Sequence, residues 1–205
     1  MTALPKRKLT EAEYLAIERA AEFKSEFFNG EMFPMQGPGG PLGMAGATFA
    51  HNSVKENLSN ALAYARRGGP FQVLSSSMRV TVKPTGLYTY PDILVVCGQP
   101  QFPDAESTDV LLNPAVIIEV LSPSTEKYDR GAKFRHYQQL PSLKEYVLVA
   151  QDEPVCERFV RQPDDSWLLT TVTGLTNSLA FATVEASVPL TEIYSGITFE
   201  EKPIR

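Results

Sequence analysis

Cysteine and histidine are scarce: the 205 residues hold two of each. There is no Cys-x-x-Cys pair, no histidine neighbours either cysteine, and His51 has no second histidine four positions on. Neither a structural zinc set nor a helical zinc-protease pair can be composed from them. Cys97 and Cys156 read as reduced structural thiols, with a disulfide between them left open. Long apolar runs are missing too; none approaches the roughly 20 residues that a membrane helix needs. The segment Met1-Thr2-Ala3-Leu4-Pro5-Lys6-Arg7-Lys8 carries no apolar signal core behind its charges. The expected location is therefore the cytoplasm, with no membrane partner. Positive charge is in deficit, with 19 Lys and Arg against 24 Asp and Glu and a formal net charge of −5. That balance argues against a protein that coats nucleic acid by neutralising phosphates, and leaves a local basic groove open. No Gly-x-Ser-x-Gly elbow occurs, so Ser122-Pro123 is ordinary turn chemistry. The Gly- and Pro-rich stretch at 36–46 lacks Gly-Lys-Ser/Thr and reads as a loop rather than a phosphate cradle. No internal repeat or low-complexity tract is found.

What is present is a globular composition, 43% apolar and 21% charged, on a chain of a length that suits one domain. Its expected parts are N-terminal helices and a hairpin over 1–70, a catalytic core over 71–150 and a C-terminal meander over 151–205. Thr10-Glu11-Ala12-Glu13 is a capping box. It predicts a helix to about Glu22 with Tyr14, Leu15, Ile17 and Ala21 on its apolar side. Asn29-Gly30 between apolar runs predicts a hairpin. Val54, Leu58, Ala61, Leu62 and Ala65 predict a helix over 50–67 closed by Gly68-Gly69, with His51 in its first turn as a helix-start or core-edge residue. Strands are expected over 71–74, 78–83, 90–96, 115–121 and 145–150, a polar loop over 99–113 and a helix over 127–140. A meander over 155–161 and 167–172 and a closing segment at 190–194 complete the chain. In the strand over 78–83, Met78, Val80 and Val82 alternate to one face. The fold class is α/β (α+β): a central mixed sheet flanked by helices, followed by antiparallel strands.

Two acids interrupt this pattern. Ala115-Val116-Ile117-Ile118-Glu119-Val120-Leu121 lacks polar alternation, as a strand covered on both faces does. Glu119 is costly to bury there unless it is paired, hydrogen-bonded or bound to a cation, and a metal is the expected partner. Tyr90-Pro91-Asp92 opens a second buried run. Two strand carboxylates and a nearby lysine can hold a hard divalent cation through oxygen and activate a water. On the helix after Glu119, Phe134 and Tyr137 mark the apolar face and Lys133 borders it, within reach of Glu119 and Asp92. Pairing of Lys133 with Asp129 on the helix surface is the plainer alternative. Glu26 stands near the start of the hairpin, where a solvent-facing glutamate is equally ordinary. Arg66-Arg67 and Lys6-Arg7-Lys8 read as solvated charge.

These blocks resemble a known family. Pro91-Asp92, Glu119-Val120-Leu121-Ser122-Pro123-Ser124-Thr125, Asp129-Arg130, Lys133, Tyr137 and Glu145-Tyr146 look like the Uma-type family of restriction-endonuclease-like nucleases, in the PD-(D/E)xK superfamily. Thr10 to Leu15, Glu26 with Asn29-Gly30-Glu31, and His51 to Leu62 extend the resemblance over most of the chain. It implies a magnesium- or manganese-dependent endodeoxyribonuclease acting on DNA as a homodimer. By it Asp92 and Glu119 hold the ion, Glu26 is an added metal ligand and Lys133 is the catalytic amine. The superfamily usually places its lysine two residues after the second acid. Here that position is Leu121, and Lys133 on the next helix matches the Uma-type pattern instead. Two other readings stand beside it. One is a binding or scaffold protein that keeps the fold without turnover, which the missing strand lysine and the acidic balance favour. The other is a carboxylate-pair glycosidase, for which no sugar-stacking aromatics surround the acids.

Overall fold

A strand's burial pattern follows from how many of its faces are covered, and the apolar runs here are covered on both. A computed structural model of the chain describes residues 7–35, 48–65, 69–75, 77–104 and 106–199. The loop assigned to 36–46, together with Lys6, Arg66, Arg67 and Gly68, lies outside them.

The capping box forms: Thr10 Oγ1 accepts from the Glu13 amide and Glu13 Oε2 from the Thr10 amide, opening α1 (Glu11–Ala20). Such a cap stabilises by about 1 kcal/mol. The helix stops short of Glu22 and turns Tyr14 and Glu18 inward, while Ile17 is exposed. Glu18 is tolerated there because its Oε1 accepts from the Ser25 amide and the Tyr90 hydroxyl. In the hairpin of β1 (Ser25–Phe28) and β2 (Glu31–Pro34), Phe28 faces Glu31. Asn29 and Gly30 both take positive φ, 51° and 82°, as the favoured two-residue hairpin turn demands. A Cβ at Gly30 would stand 2.6 Å from Lys8 Cβ, so glycine is required twice over. Helix α2 (Phe49–Ala65) turns Val54, Leu58 and Leu62 inward, the expected stripe.

The next strands are β3 (Phe71–Ser75), β4 (Arg79–Val82), β5 (Leu87–Thr89), β6 (Ile93–Cys97), β7 (Val110–Leu111) and β8 (Val116–Leu121). They are followed by β9 (Glu145–Ala150), β10 (Val155–Arg161), β11 (Trp167–Thr173), β12 (Ser178–Phe181) and β13 (Ala186–Pro189). One sheet has the order β2-β1-β5-β4-β7, a second β11-β10-β9-β8-β6-β3, and β12 with β13 forms a separate ribbon. The β8–β9 and β4–β7 pairs are parallel and the others antiparallel, so both larger sheets are mixed. Parallel β8 and β9 need a crossover. It is supplied by α3 (Glu126–Tyr128), a π-helical turn (Asp129–Lys133) and α4 (Phe134–Tyr137).

The central strands of the six-stranded sheet, β6, β8 and β9, are covered on both sides, while the edge strand β11 is largely exposed. Ile93, Val95, Ile118 and Val120 pack under α2, the β12–β13 ribbon and the short α5 (Leu190–Ile193). Leu94, Ile117, Leu121, Tyr146 and Leu148 pack against Phe134 and Tyr137 of the crossover and against the five-stranded sheet. Three expectations are corrected. Strand β4 is buried throughout, not one-sided, because Arg79 is neutralised inside: it donates to the Tyr90 hydroxyl and to Asp109. The polar loop over 99–113 contains β7, which adds to the edge of the smaller sheet. Between the meander and α5 lies the β12–β13 ribbon, whose four-residue strands are too short for periodicity to announce.

Among the described residues no helix is long and apolar enough to cross a membrane. Both cysteines are free, Cys97 exposed and Cys156 buried beside the Tyr194 hydroxyl. Burial pushes the Cys156 thiol up to about 11, with Tyr194 opposing. A thiol reagent near about pH 8 should therefore titrate only Cys97 in the native chain and both thiols after denaturation. Cys97→Ser should abolish the native reaction; equal reactivity of both thiols would contradict the burial of Cys156.

Candidate active site

Strand register brings the two acids together. β6 and β8 are antiparallel with Ile93 opposite Ile118, so one step further along sets Asp92 opposite Glu119. Opposed residues of such a pair share a face, with Cβ atoms about 4.5–5.5 Å apart. Each acid is tied to the other's backbone. The Val120 amide donates to Asp92 Oδ2 at 2.9 Å, and the Asp92 amide points to Glu119 Oε2 at 3.4 Å. Pro91 has no amide to satisfy, which lets the chain leave one sheet and enter the other at this point.

Glu119 alternates with Ile117 and Leu121, whose face meets the crossover helix. From that helix Lys133 Nζ lies 2.8 Å from Glu119 Oε1 and 3.3 Å from Asp129 Oδ1, and Tyr137 donates its hydroxyl to the same Glu119 oxygen at 2.9 Å. Pairing of Lys133 with Asp129 does occur, but as a buried contact in the π turn and not on the surface; Asp129 and Lys133 are both buried. Tyr146 of β9 donates to the Asp129 carbonyl at 3.0 Å, anchoring a turn of the widened kind that recurs at functional sites. Glu26 completes the ring from the other sheet. Its Oε1 accepts from Thr89 and stands 3.8 Å from Lys133 Nζ. Its contacts are thus with the amine, Thr89 and the Tyr128 hydroxyl.

His51 enters from α2, its Nε2 3.3 Å from Asp92 Oδ1, while its Nδ1 is buried without a hydrogen-bond partner. The Thr48 hydroxyl accepts from the His51 amide and seats that first turn.

The electrostatics follow from crowding. Burial raises the Glu119 carboxyl above the ordinary glutamate range despite the ammonium beside it, and the Asp129 and Asp92 charges push the same way. Burial likewise raises Asp129 against the pull of Lys133. Lys133 is penalised by burial, yet Glu119, with Tyr137, Asp129 and Glu26, more than reverses this and holds it charged. Burial and Glu119 keep the Tyr137 phenol protonated and so a donor. For Asp92, burial is outweighed by the contact with His51, the Val120 amide and the Lys133 charge, which hold its carboxyl below the usual range.

Among the described residues no three His, Cys, Asp or Glu side chains form a ready-made metal cage. The fit to magnesium or manganese is of another kind. Asp92 Oδ1 and Glu119 Oε2 have only long contacts, 3.3 Å and 3.4 Å. Magnesium is commonly held by one or two carboxylates plus water and substrate phosphate rather than by a full protein cage. Three carboxylates, Glu26, Glu119 and Asp129, share one ammonium, and Asp92 joins them through Glu119 with His51 beside it, so the cluster has room for more positive charge.

Asp92, Glu119, Lys133 and Glu26 are thus brought into one cluster, the first three in immediate contact or one residue apart. Sequence reasoning missed the inward role of Asp129, the Tyr137 hydroxyl and the placement of His51. The spacing from His51 to Val54 and Leu58 of the buried stripe could have put His51 on the inner side of α2.

A mixed sheet carrying paired acids, crossed by a helix that returns an amine to them, defines a restriction-endonuclease-like fold. Over residues 11–191 the chain matches the family model described as "Uma2: Putative restriction endonuclease". It is 36% identical over 174 residues to the uncharacterized protein sll1609 of Synechocystis sp. (strain ATCC 27184 / PCC 6803 / Kazusa), covering 85% of this chain and 93% of that one. It is 31% identical over 195 residues to slr1290 of the same organism, also uncharacterized, covering 95% and 96%. A crystal structure from Anabaena variabilis ATCC 29413, described as "a putative nuclease belonging to DUF820", superposes with a TM-score of 0.69 at 15% identity, covering 90% of this chain and 96% of that one. The chain belongs to the Uma2 family.

Removing the ammonium should expose how much it carries. Lys133→Met leaves Glu119, Asp129 and Glu26 without their shared cation and should cost about 3–5 kcal/mol in urea unfolding. Adding Glu119→Leu and Asp129→Leu should recover most of the loss. Recovery failing in the triple variant would mean that the helix is held by something other than this charge balance.

Proposed function

We propose that the chain is a metal-dependent endodeoxyribonuclease that hydrolyses DNA phosphodiester bonds at Asp92, Glu119 and Lys133. The observation that carries this reading is the charge imbalance: three acids around a single buried amine, with Asp92 set opposite one of them and only long contacts at Asp92 Oδ1 and Glu119 Oε2. Family membership supports hydrolysis as the reaction class.

Asp92 Oδ1 and Glu119 Oε2 would hold a magnesium or manganese ion. Such an ion supplies Lewis acidity, lowering the pKa of a water and offsetting charge on the phosphoryl oxygens. The chain's own groups do the positioning. The Val120 amide fixes one Asp92 oxygen and leaves the other facing His51 at 3.3 Å. Tyr137 and Lys133 both engage Glu119 Oε1, which leaves Oε2 turned toward Asp92. Lys133, held charged, orients the attacking oxygen or offsets the charge of the phosphorane-like transition state. Glu26 steadies that ammonium from behind. The part of a metal ligand, which the family resemblance gives it, would require Glu26 to release Thr89. Cutting both strands of a duplex would take two such sites, and a homodimer in the cytoplasm is the assembly and setting of this reading; two free thiols suit a reducing compartment.

A second reading, a binding protein without turnover, is favoured by one observation: Lys133 and Glu119 already satisfy each other at 2.8 Å. Plasmid nicking separates the two. With magnesium or manganese the chain should convert supercoiled to open-circular DNA; chelation, Asp92→Ala or Glu119→Ala should abolish this, and Lys133→Ala should slow it at least about a hundredfold. Calorimetric binding of manganese that is lost in Asp92→Ala, with no DNA cleaved under any condition, would decide for the binding protein. Cleavage that survives chelation would remove the metal mechanism.

A further inference from the structure

An edge strand leaves half of its backbone groups unpaired, and natural sheets protect such edges with charge, proline, bulges or brevity. Of the edges in the two larger sheets, three are protected: β2 opens on Glu31 and ends on Pro34, β7 has two residues, and β3 exposes only Ser75. β11 is not. Trp167-Leu168-Leu169-Thr170-Thr171-Val172-Thr173 carries no charge, proline or glycine, pairs among the described residues with β10 alone, and is exposed from Leu168 to Thr171. Leu168 and Leu169 are 56% and 48% exposed and, being consecutive, stand on opposite faces. Apolar surface is therefore open on both sides of this edge.

The ladder fixes which backbone groups look outward. At its two ends the Gln162 amide donates to the Ser166 carbonyl and the Gly174 amide to the Pro154 carbonyl, each at 2.8 Å, in a register that sets Arg161 opposite Trp167 and Val155 opposite Thr173. Hydrogen-bonded pairs alternate with unbonded ones in an antiparallel ladder. Leu168, Thr170 and Val172 thus spend their amides and carbonyls on β10, while Trp167, Leu169, Thr171 and Thr173 turn theirs away from the sheet. Asn177 already donates its side-chain amide to the Thr173 carbonyl at 2.7 Å. What is left, Trp167, Leu169 and Thr171, is evenly spaced about Leu169.

We infer that β11 is the seam of a homodimer, in which a second copy lays its own β11 antiparallel with the two-fold axis at Leu169. Trp167 then meets Thr171 of the second copy, Leu169 meets its own counterpart and Thr171 meets Trp167, so every donor faces an acceptor in about six hydrogen bonds. A strand whose free groups are symmetric about one residue is complementary to itself, which selects a second copy over an unrelated strand. Charge agrees. The rows that cross the seam are Phe159-Leu169-Leu169-Phe159, Val160-Leu168-Thr170-Arg158 and Arg161-Trp167-Thr171-Glu157; no like charges share a row, and the one charged pair is opposite in sign. The first row carries the apolar cluster of Phe134, Phe159 and Trp167 across the axis. Pairing of this kind joins the two six-stranded sheets with their crossover helices on the same side. The homodimer of the nuclease reading gains a location, but the seam follows from the strand alone and does not depend on cleavage.

Sedimentation velocity of the full chain, without DNA or metal, reads the assembly. The parent should sediment as a dimer. Thr171→Pro removes an outward amide and no bond to β10, a change that an edge strand tolerates, and should sediment as a monomer at the same concentration. Leu169→Glu and Leu169→Lys each set like charges face to face and should do the same, whereas an equimolar mixture of the two should recover the dimer. In a Cys97→Ser background, Leu169→Cys should form a disulfide-linked dimer under mild oxidation, because an opposed bonded pair has Cα atoms about 5.5 Å apart. Thr170→Cys, whose two copies lie on a diagonal, should not. A monomeric parent, or a dimer that Thr171→Pro and both charged variants leave intact, would overturn the seam. Cross-linking through Thr170→Cys and not through Leu169→Cys would overturn the axis at Leu169. The nuclease reading stands or falls separately, on plasmid nicking.

Discussion

One buried ammonium governs this molecule. Lys133 comes out of the crossover helix into a space shared by Glu119, Asp129 and Glu26, and its ammonium lies within 4 Å of all three. Yet it does not balance them. A buried ion pair is weak evidence of stability, because well-packed apolar residues of similar volume commonly fold as well or better. An unequal cluster of acids and amine is a worse choice still if folding is the only end. The surplus of carboxylate makes sense as a place that accepts positive charge from outside, and that is the physical content of the metal reading.

The cluster exists because two sheets meet there. The chain leaves the five-stranded sheet at Thr89 and enters the six-stranded one at Ile93. Within the three intervening residues, Pro91 makes no demand for an amide partner and Asp92 lands opposite Glu119. Thr89, at the end of its own strand, hydrogen-bonds Glu26 of β1, so the first sheet delivers one acid and the link delivers another. The second sheet supplies Glu119, and the helix between its parallel strands supplies Asp129 and Lys133. Both cores must be formed before three acids surround the amine with Asp92 beside them, which makes the site a product of the whole domain and not of one motif.

How much of this was legible in the sequence depended on whether a signal was local. The capping box at Thr10, the Asn29-Gly30 turn and the apolar run broken by Glu119 are all short-range patterns, and each has its structural counterpart. Pairing of Asp92 with Glu119 could be suspected from two acids on buried runs, though register is a long-range property that spacing does not encode. Arg79 shows the limit from the other side. Its strand alternates as a half-exposed strand would, but Tyr90 and Asp109 satisfy the guanidinium indoors, and no local rule foretells partners that far along the chain. Strand β7 was hidden for the same reason: two residues acquire strand character only because β4 is there to pair with. Asp129 was misjudged because an acid four residues before a lysine is nearly always a surface partner, and only the packing of the crossover onto the sheet turns that pair inward.

A lysine two residues after Glu119, where Leu121 stands, would extend from the same strand face as Glu119, roughly 6–7 Å further along. In that arrangement the strand itself fixes the distance between acid and amine. Here the amine is carried by a separate element, and its position depends on how that element sits. Phe134 stacks on Tyr146 with ring centroids 4.8 Å apart and tilts against Phe159 at 4.6 Å, Tyr137 meets Tyr146 edge-on at 5.5 Å, and Tyr146 ties down the Asp129 carbonyl. Leu121 packs in that same core. Leu121 thus helps seat the helix that carries Lys133. Aromatic packing across β9 and β10 thereby sets the reach of Lys133 to Glu119, and the geometry of the acid cluster is coupled to a core that lies outside it.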